Sequence, residues 1–171
     1  RIVSLLAELE SPEGCADVNE MLDERRGKTA LHFCAERGEV DACASLLAAS
    51  FIDVNARRKD GATALFSAAM HGSSECVALL LEYNRKQKQG NKPVDVNATR
   101  TIDGTTPLCI ACQQGHIDVV ELLLREPETK LNLCSSNGCS PLFIAAYKNR
   151  VDVVAMLLGC ENRGGLDGLL D

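Results

Sequence analysis

Gly104-Thr-Thr-Pro-Leu-Cys-Ile-Ala-Cys112 decides the fold, because the chain writes the same phrase four times. The other copies are Gly27-Lys-Thr-Ala-Leu-His-Phe-Cys-Ala35, Gly61-Ala-Thr-Ala-Leu-Phe-Ser-Ala-Ala69 and Gly138-Cys-Ser-Pro-Leu-Phe-Ile-Ala-Ala146. Each is followed at one fixed distance by a leucine pair: Leu46-Leu47, Leu80-Leu81, Leu123-Leu124 and Leu157-Leu158. The glycines step by 34, 43 and 34 residues, and the leucine pairs step with them. A period of this length belongs to a stack of helical units, each leaning on its neighbours, and not to one globular core.

One copy shows how the unit is built. Thr106 can cap a helix and Pro107 suits its first position, where a missing N–H costs nothing. The helix should stop at Gly115, as its counterparts stop at Gly38, Gly72 and Asn149, residues that tolerate a left-handed backbone. A second helix then carries Ile117, Val120, Leu123 and Leu124, a single apolar stripe. The stripe recurs as Val40, Cys43, Leu46, Leu47 and as Val151, Val154, Leu157, Leu158, with Ser74 opening the second copy. Asp53-Val-Asn-Ala and Asp95-Val-Asn-Ala follow as extended arms that lead through a tight turn to the next unit.

These motifs resemble the ankyrin repeat, whose hairpin turn, Thr-Pro-Leu-His-x-Ala helix and Val-x-x-Leu-Leu helix match residues 23–158 almost end to end. The resemblance implies an all-α ankyrin-repeat solenoid of stacked helix-turn-helix units with hairpin-like turns. The family's His survives only as His32, replaced by Phe66, Cys109 and Phe143, and its Pro is Ala30 and Ala64 in the first two copies. Those exchanges should cost local stability without changing the fold. The array divides into a partial repeat 1–22, repeat 1 at 23–56, repeat 2 at 57–98, repeat 3 at 99–133, and repeat 4 with a tail at 134–171. Ile2, Leu5, Leu6 and the Asp17-Val-Asn arm read as the end of an earlier repeat. With no initiating Met and no polar cap at either end, the chain reads as an excised array.

Repeat 2 carries a basic insertion at 84–93, with Arg85, Lys86, Lys88 and Lys92 and no acid. A solvated loop is the plain expectation, and a docking element for an acidic partner is the sharper one. The net charge of −6 argues against nucleic acid as a partner. Only 4% of residues are aromatic, so the core must be built of Ala, Leu, Val and Cys. No apolar run reaches a membrane span, which excludes membrane insertion within these residues. The nine cysteines form no secreted-type framework, which points to an intracellular, cytoplasmic or nuclear, compartment.

The chemistry of a catalytic centre is missing from the motif pattern. Cys109-x-x-Cys112 lacks a second ligand pair, and both cysteines fall in slots of a packed helix, so no metal is expected. His32, His71 and His116 occupy unrelated repeat positions, with His32 read as a structural hydrogen-bonder. Cys134 and Cys139 lie near a turn as candidate exposed thiols. Asn97-Ala-Thr99 is formally a glycosylation acceptor, but it lies on the arm. No cofactor is expected and no catalytic residue is assigned.

What the resemblance implies for binding is a concave face of turn tips and first helices. Carried over slot by slot, the tips are Arg25, Arg26, Lys28; Lys59, Asp60; Ile102, Asp103, Thr105; and Ser136, Asn137, with Ala62 and Cys139 completing the slots. The helix positions are Glu36, Arg37; Met70, His71; Gln113, Gln114; and Tyr147, Lys148. The first two tips, reinforced by Arg57 and Arg58, are basic, so a protein partner with an acidic segment is expected there. Met70 and Tyr147 are the candidate apolar anchors. The resemblance also implies hydroxylation at Asn55 and Asn97. The leading expectation is a monomeric, non-catalytic adaptor or scaffold. The alternative is the substrate-targeting segment of a larger enzyme or pathogen effector whose catalytic domain lies outside these residues.

Overall fold

The structure, a computed structural model, describes residues 18–49, 51–86 and 92–161. Ile2, Leu5, Leu6, Asp17 and the centre of the basic insertion, Lys88 included, lie outside the described residues. The first element among the described residues is a short antiparallel pair, β1 (Met21–Asp23) against β2 (Lys28–Thr29). Four helix pairs follow: α1 (Ala30–Arg37) with α2 (Val40–Ala48), and α3 (Ala64–His71) with α4 (Ser74–Lys86). Next come α5 (Pro107–Gln114) with α6 (Ile117–Leu124), and α7 (Pro141–Tyr147) with α8 (Val151–Glu161). The first helices stack α1–α3–α5–α7 in one row, and the second helices stack α2–α4–α6–α8 behind them.

Each first helix starts and stops as its sequence dictates. The Oγ1 of Thr63 and Thr106 accept the backbone N–H of Phe66 and Cys109 at 3.2 and 3.1 Å, and Ser140 does the same for Phe143 at 3.2 Å. Gly72 ends α3 at φ +74°, and Asn149 takes that role in the last repeat at φ +55°. Gly72 is needed for a second reason, since a Cβ there would lie 2.6 Å from Nδ1 of His116 in the next repeat.

The core is made of small side chains where the rows meet. Ala30, Cys34, Ala35, Ala68, Ala69, Ala111, Cys112 and Ala145 are buried along the first-helix row. Small residues let helices lie at the close end of ordinary axial spacing, roughly 8–10 Å. The apolar stripe of the second helices needs one correction. Val40, Ile117 and Val151, which open it, are exposed, whereas Cys76, Val119 and Val153 are buried. Side chains of a first helical turn lean toward the N-terminus, out past the helix pair, so the buried stripe starts two residues later.

Two hydrogen-bond ladders lock successive repeats. At the turn tips, Lys59 N–H donates to Arg26 O at 2.9 Å, Thr101 to Asp60 O at 2.9 Å, and Ser136 to Asp103 O at 2.8 Å. Gly61 sits in this ladder at φ +81°, where a Cβ would come within 2.6 Å of the Thr101 nitrogen. Along the arms, each Asn side chain clamps the next arm with both its polar atoms. Asn55 Oδ1 accepts from Asp95 N–H at 2.8 Å while its Nδ2 donates to Pro93 O at 2.6 Å. Asn19 holds Asp53 N–H and Phe51 O in the same way, and Asn97 holds Lys130 N–H and Glu128 O. The insertion in repeat 2 is closed at its base, where Asn84 Oδ1 accepts Val94 N–H at 2.6 Å.

Candidate functional site

The turn tips are built around short-range polar contacts, and these decide which charges remain for a partner. In the first tip, Asp23 Oδ1 accepts the backbone N–H of Arg25 at 3.0 Å and of Arg26 at 3.3 Å. Both arginine side chains, and that of Glu24, are left exposed. Lys28 is different. Its residue is 4% exposed, its ammonium pairs with Glu36, and it lies 5.2 Å from the centre of the Phe33 ring. The expectation that Lys28 offers a surface cation is therefore corrected: β2 turns it inward, beneath the tip. Burial tends to raise the Glu36 carboxyl, but the Lys28 hydrogen bond and charge outweigh it and hold it below the usual carboxylate range.

The acids at tips two and three also brace the turn. Asp60 takes a two-pronged contact from Arg58, at 3.1 and 2.5 Å, and the Ala62 N–H at 3.2 Å. Asp103 pairs with Arg100 and accepts Thr105 N–H at 3.1 Å. The Arg100 hydrogen bond outweighs burial and brings the Asp103 carboxyl down to about 2. Thr105 is buried, and its backbone N–H closes this brace. Arg58 is spent on Asp60, and Arg57 donates to the carbonyls of Gly61 and Thr99 at 3.1 and 2.9 Å while staying exposed.

What remains on the first two tips is an exposed group of cations. Arg25, Arg26, Arg57 and Lys59 face solvent, and the tip ladder sets Arg26 and Lys59 on adjacent rungs. Of the first-helix positions, Glu36 and Met70 are half-buried, while Arg37 and His71 are exposed. Arg37 lies 3.5 Å from Glu39, and His71 Nδ1 contacts Ser67 O at 2.9 Å. Arg85, from the basic insertion, pairs with Glu126 of the next repeat.

The other end of the face has a different character. Ile102 is 67% exposed, Ser136, Asn137 and Gln114 are exposed, and Gln113 is half-buried. Phe143 and Tyr147 stack at 6.2 Å with their planes 10° apart, Tyr147 being 75% exposed with Lys148 Nζ 5.4 Å from its ring centre. Between repeats 3 and 4 lies a cavity of about 320 Å3, walled by Asp103, Gln113, Asn137, Cys139, Phe143 and Tyr147 among others. Sequence reasoning picked out Tyr147 but missed its partner Phe143, because that slot is internal in every earlier repeat.

The remaining candidates are spread over the core, the arms and the turns. His32 is fully buried, with Nδ1 2.9 Å from Thr29 Oγ1 and Nε2 3.1 Å from Ala62 O of the next repeat. Burial drives its pKa down to about 4, so the ring is neutral, with its proton on Nε2 for the carbonyl. Cys109 and Cys112 are buried in α5, and burial lifts the Cys112 thiol to about 12. Cys134 is exposed and Cys139 half-buried. Among the described residues no three or more His, Cys, Asp and Glu side chains gather as a metal site, and no helix is long and apolar enough to cross a membrane. Asn55 and Asn97 are half-buried rungs of the arm ladder.

Comparison with known proteins agrees with this architecture. A family model described as ankyrin repeats (3 copies) matches residues 1–91 and 89–165. The SMC5-SMC6 complex localization factor protein 1 of Bos taurus is 32% identical over 100 residues, covering 58% of this chain and 9% of that protein. The probable E3 ubiquitin-protein ligase XBOS33 of Oryza sativa subsp. japonica is 36% identical over 104 residues, covering 57% and 18%. The B-cell lymphoma 3 protein homolog of Mus musculus is 30% identical over 112 residues, covering 64% and 23%. The chain spans less than a quarter of the length of each of these relatives.

Proposed function

The chain belongs to the ankyrin-repeat family, whose arrays are protein–protein interaction modules, and from that premise we propose that its first two turn tips hold an acidic segment of a protein partner. The observation that carries this is the sorting of charges at the tips. Lys28, Arg58 and Arg100 are consumed by acids of the chain itself, while Arg25, Arg26, Arg57 and Lys59 stay exposed on neighbouring rungs. The hydrogen-bonded ladder fixes the backbones that carry these cations, so the tips are already placed to steer an acidic partner into register. The array works as an intracellular, monomeric adaptor and does no chemistry of its own.

A direct test titrates a hexaglutamate peptide into the wild type and into Arg25→Glu/Arg26→Glu at several salt concentrations. Exposed pairs contribute up to about 1 kcal/mol each, so reversing two should weaken binding by roughly tenfold or more and flatten its salt dependence. Equal affinity and equal salt slope in the two proteins would overturn the reading.

A second reading has one observation behind it: a relative whose name is that of a ubiquitin ligase matches over 18% of its length. The array would then be the substrate-targeting segment of a larger enzyme, and the full reading frame decides it by showing or lacking a catalytic domain. Hydroxylation of Asn55 and Asn97 is a further part of the proposal. Because both polar atoms of each side chain clamp the next arm, the enzyme would need the arm to open first. Intact-mass analysis after exposure to an asparaginyl hydroxylase checks it, and no added oxygen counts against it.

A further inference from the structure

We infer that the face of tips and first helices reads one extended partner segment at two points, acidic residues on the Arg25–Arg26–Lys59 cluster and one aromatic side chain in the cavity beside Phe143 and Tyr147. This rests on the acidic-segment reading and adds the chemistry and spacing of the second contact. Three observations carry it. The cavity's 320 Å3 is at the small end of ligand pockets, about 300–1,000 Å3, and is large enough to admit one aromatic side chain. Its apolar wall is a parallel aromatic pair whose faces can take a third ring in offset stacking. Its rim carries Asp103, already spent on Arg100, and Lys148, whose ammonium lies 5.4 Å from the Tyr147 ring centre and favours the face of an entering aromatic ring.

The ladder fixes the distance between the two points. The cations lie on the first two tips and the cavity between repeats 3 and 4, two layers further along. At helix spacings of 8–10 Å, two layers amount to roughly 16–20 Å. An extended strand rises about 3.3 Å per residue, so about five or six residues separate the acidic group from the aromatic anchor. A shorter spacer cannot reach both sites, and a linked pair of contacts gains affinity only when it does.

The test uses synthetic peptides with three glutamates, a Gly-Ser spacer of two or five residues, and a terminal phenylalanine amide, beside the same peptides without Phe. The five-residue spacer should bind about tenfold tighter than its Phe-less control, and the two-residue spacer no tighter than its own. Tyr147→Ala should abolish that gain and leave the acidic contact, whereas Arg25→Glu/Arg26→Glu should abolish both. A readout without any variant comes from the two described thiols outside the core. The Phe peptide should protect Cys139, on the cavity wall, from alkylation, but not Cys134, which is exposed and absent from the cavity lining.

A Phe gain that ignores spacer length, or an unprotected Cys139, overturns the two-point reading while the acidic contact stands. Failure of every glutamate peptide to bind overturns both readings together. Protection of Cys139 that rises with protein concentration without peptide would assign the cavity to a second copy of the chain, and would likewise overturn the inference.

Discussion

Phe66 and Phe143 occupy the same slot two repeats apart, the third residue of a first helix, yet Phe66 is 0% exposed and Phe143 56%. The local sequences around them, Thr-Ala-Leu-Phe and Ser-Pro-Leu-Phe, give both helices the same start. What differs is the layer above. Phe66 is covered by repeat 3, including the Arg100 guanidinium 5.2 Å from its ring centre, whereas no described residue plays that part for Phe143. In a stack, burial is set by the neighbouring layer as much as by the residue itself. The same slot is thus packed between layers at Phe66 and exposed at Phe143.

The largest effect should come from truncating both members of that pair. Phe66→Ala should cost about 3–5 kcal/mol of unfolding free energy, whereas Phe143→Ala should cost under about 1 kcal/mol. Urea denaturation measures both, and similar losses would break the contrast between buried and open layers.

The slot's third occupant, His32, adds a pH dependence that the phenylalanines lack. Its folded pKa of about 4 lies below the unfolded value of 6.5, so the unfolded chain binds more protons between those limits. Stability is therefore full above pH 6.5 and declines as pH falls toward 4, by about 3 kcal/mol in total. Asp103, with a folded pKa of about 2 against 3.8 unfolded, withdraws its own contribution only below that window. Melting curves from pH 7.5 to 4.5 should show the decline in the wild type and its loss in His32→Gln. An unchanged slope would remove His32 from the account.

The arms sharpen the comparison at smaller scale. Asn97→Ala deletes two inter-repeat hydrogen bonds and should cost about 1–2 kcal/mol, with faster amide exchange at Lys130. Phe51 should move stability the other way. It is 88% exposed and held at φ +65°, where a non-glycine residue costs about 1 kcal/mol. Phe51→Gly should stabilise the chain by about that much, and a destabilised variant would mean that the exposed ring makes a contact of its own.

These contrasts show how far residues alone could be read. The Gly-x-Thr-x-Leu phrase, the capping Thr and Ser residues and the Leu-Leu spacing prescribe short-range geometry, so helix pairs, their order and the Asn149 stop were legible. The opening of the second-helix stripe was misplaced because helical periodicity cannot say how far a first turn overhangs its partner. Lys28 looked like Arg25 and Arg26 in sequence, but its register in β2 carries it beneath the tip onto Glu36. Asn19, Asn55 and Asn97 repeat visibly, yet their clamping role depends on the arm of the next layer. The Phe143–Tyr147 platform was half seen, since its exposure belongs to the stack and not to the repeat.

The central claim, that the two halves of one face offer charge and aromatic contact respectively, is most directly tested by hydrogen-exchange mass spectrometry with the five-residue-spacer Phe peptide. The account predicts slower exchange in two separate blocks, residues 24–28 with 57–62 and residues 135–148, and loss of the second block alone for the peptide lacking Phe. Protection confined to the second-helix row, or a single block indifferent to the Phe, would contradict it.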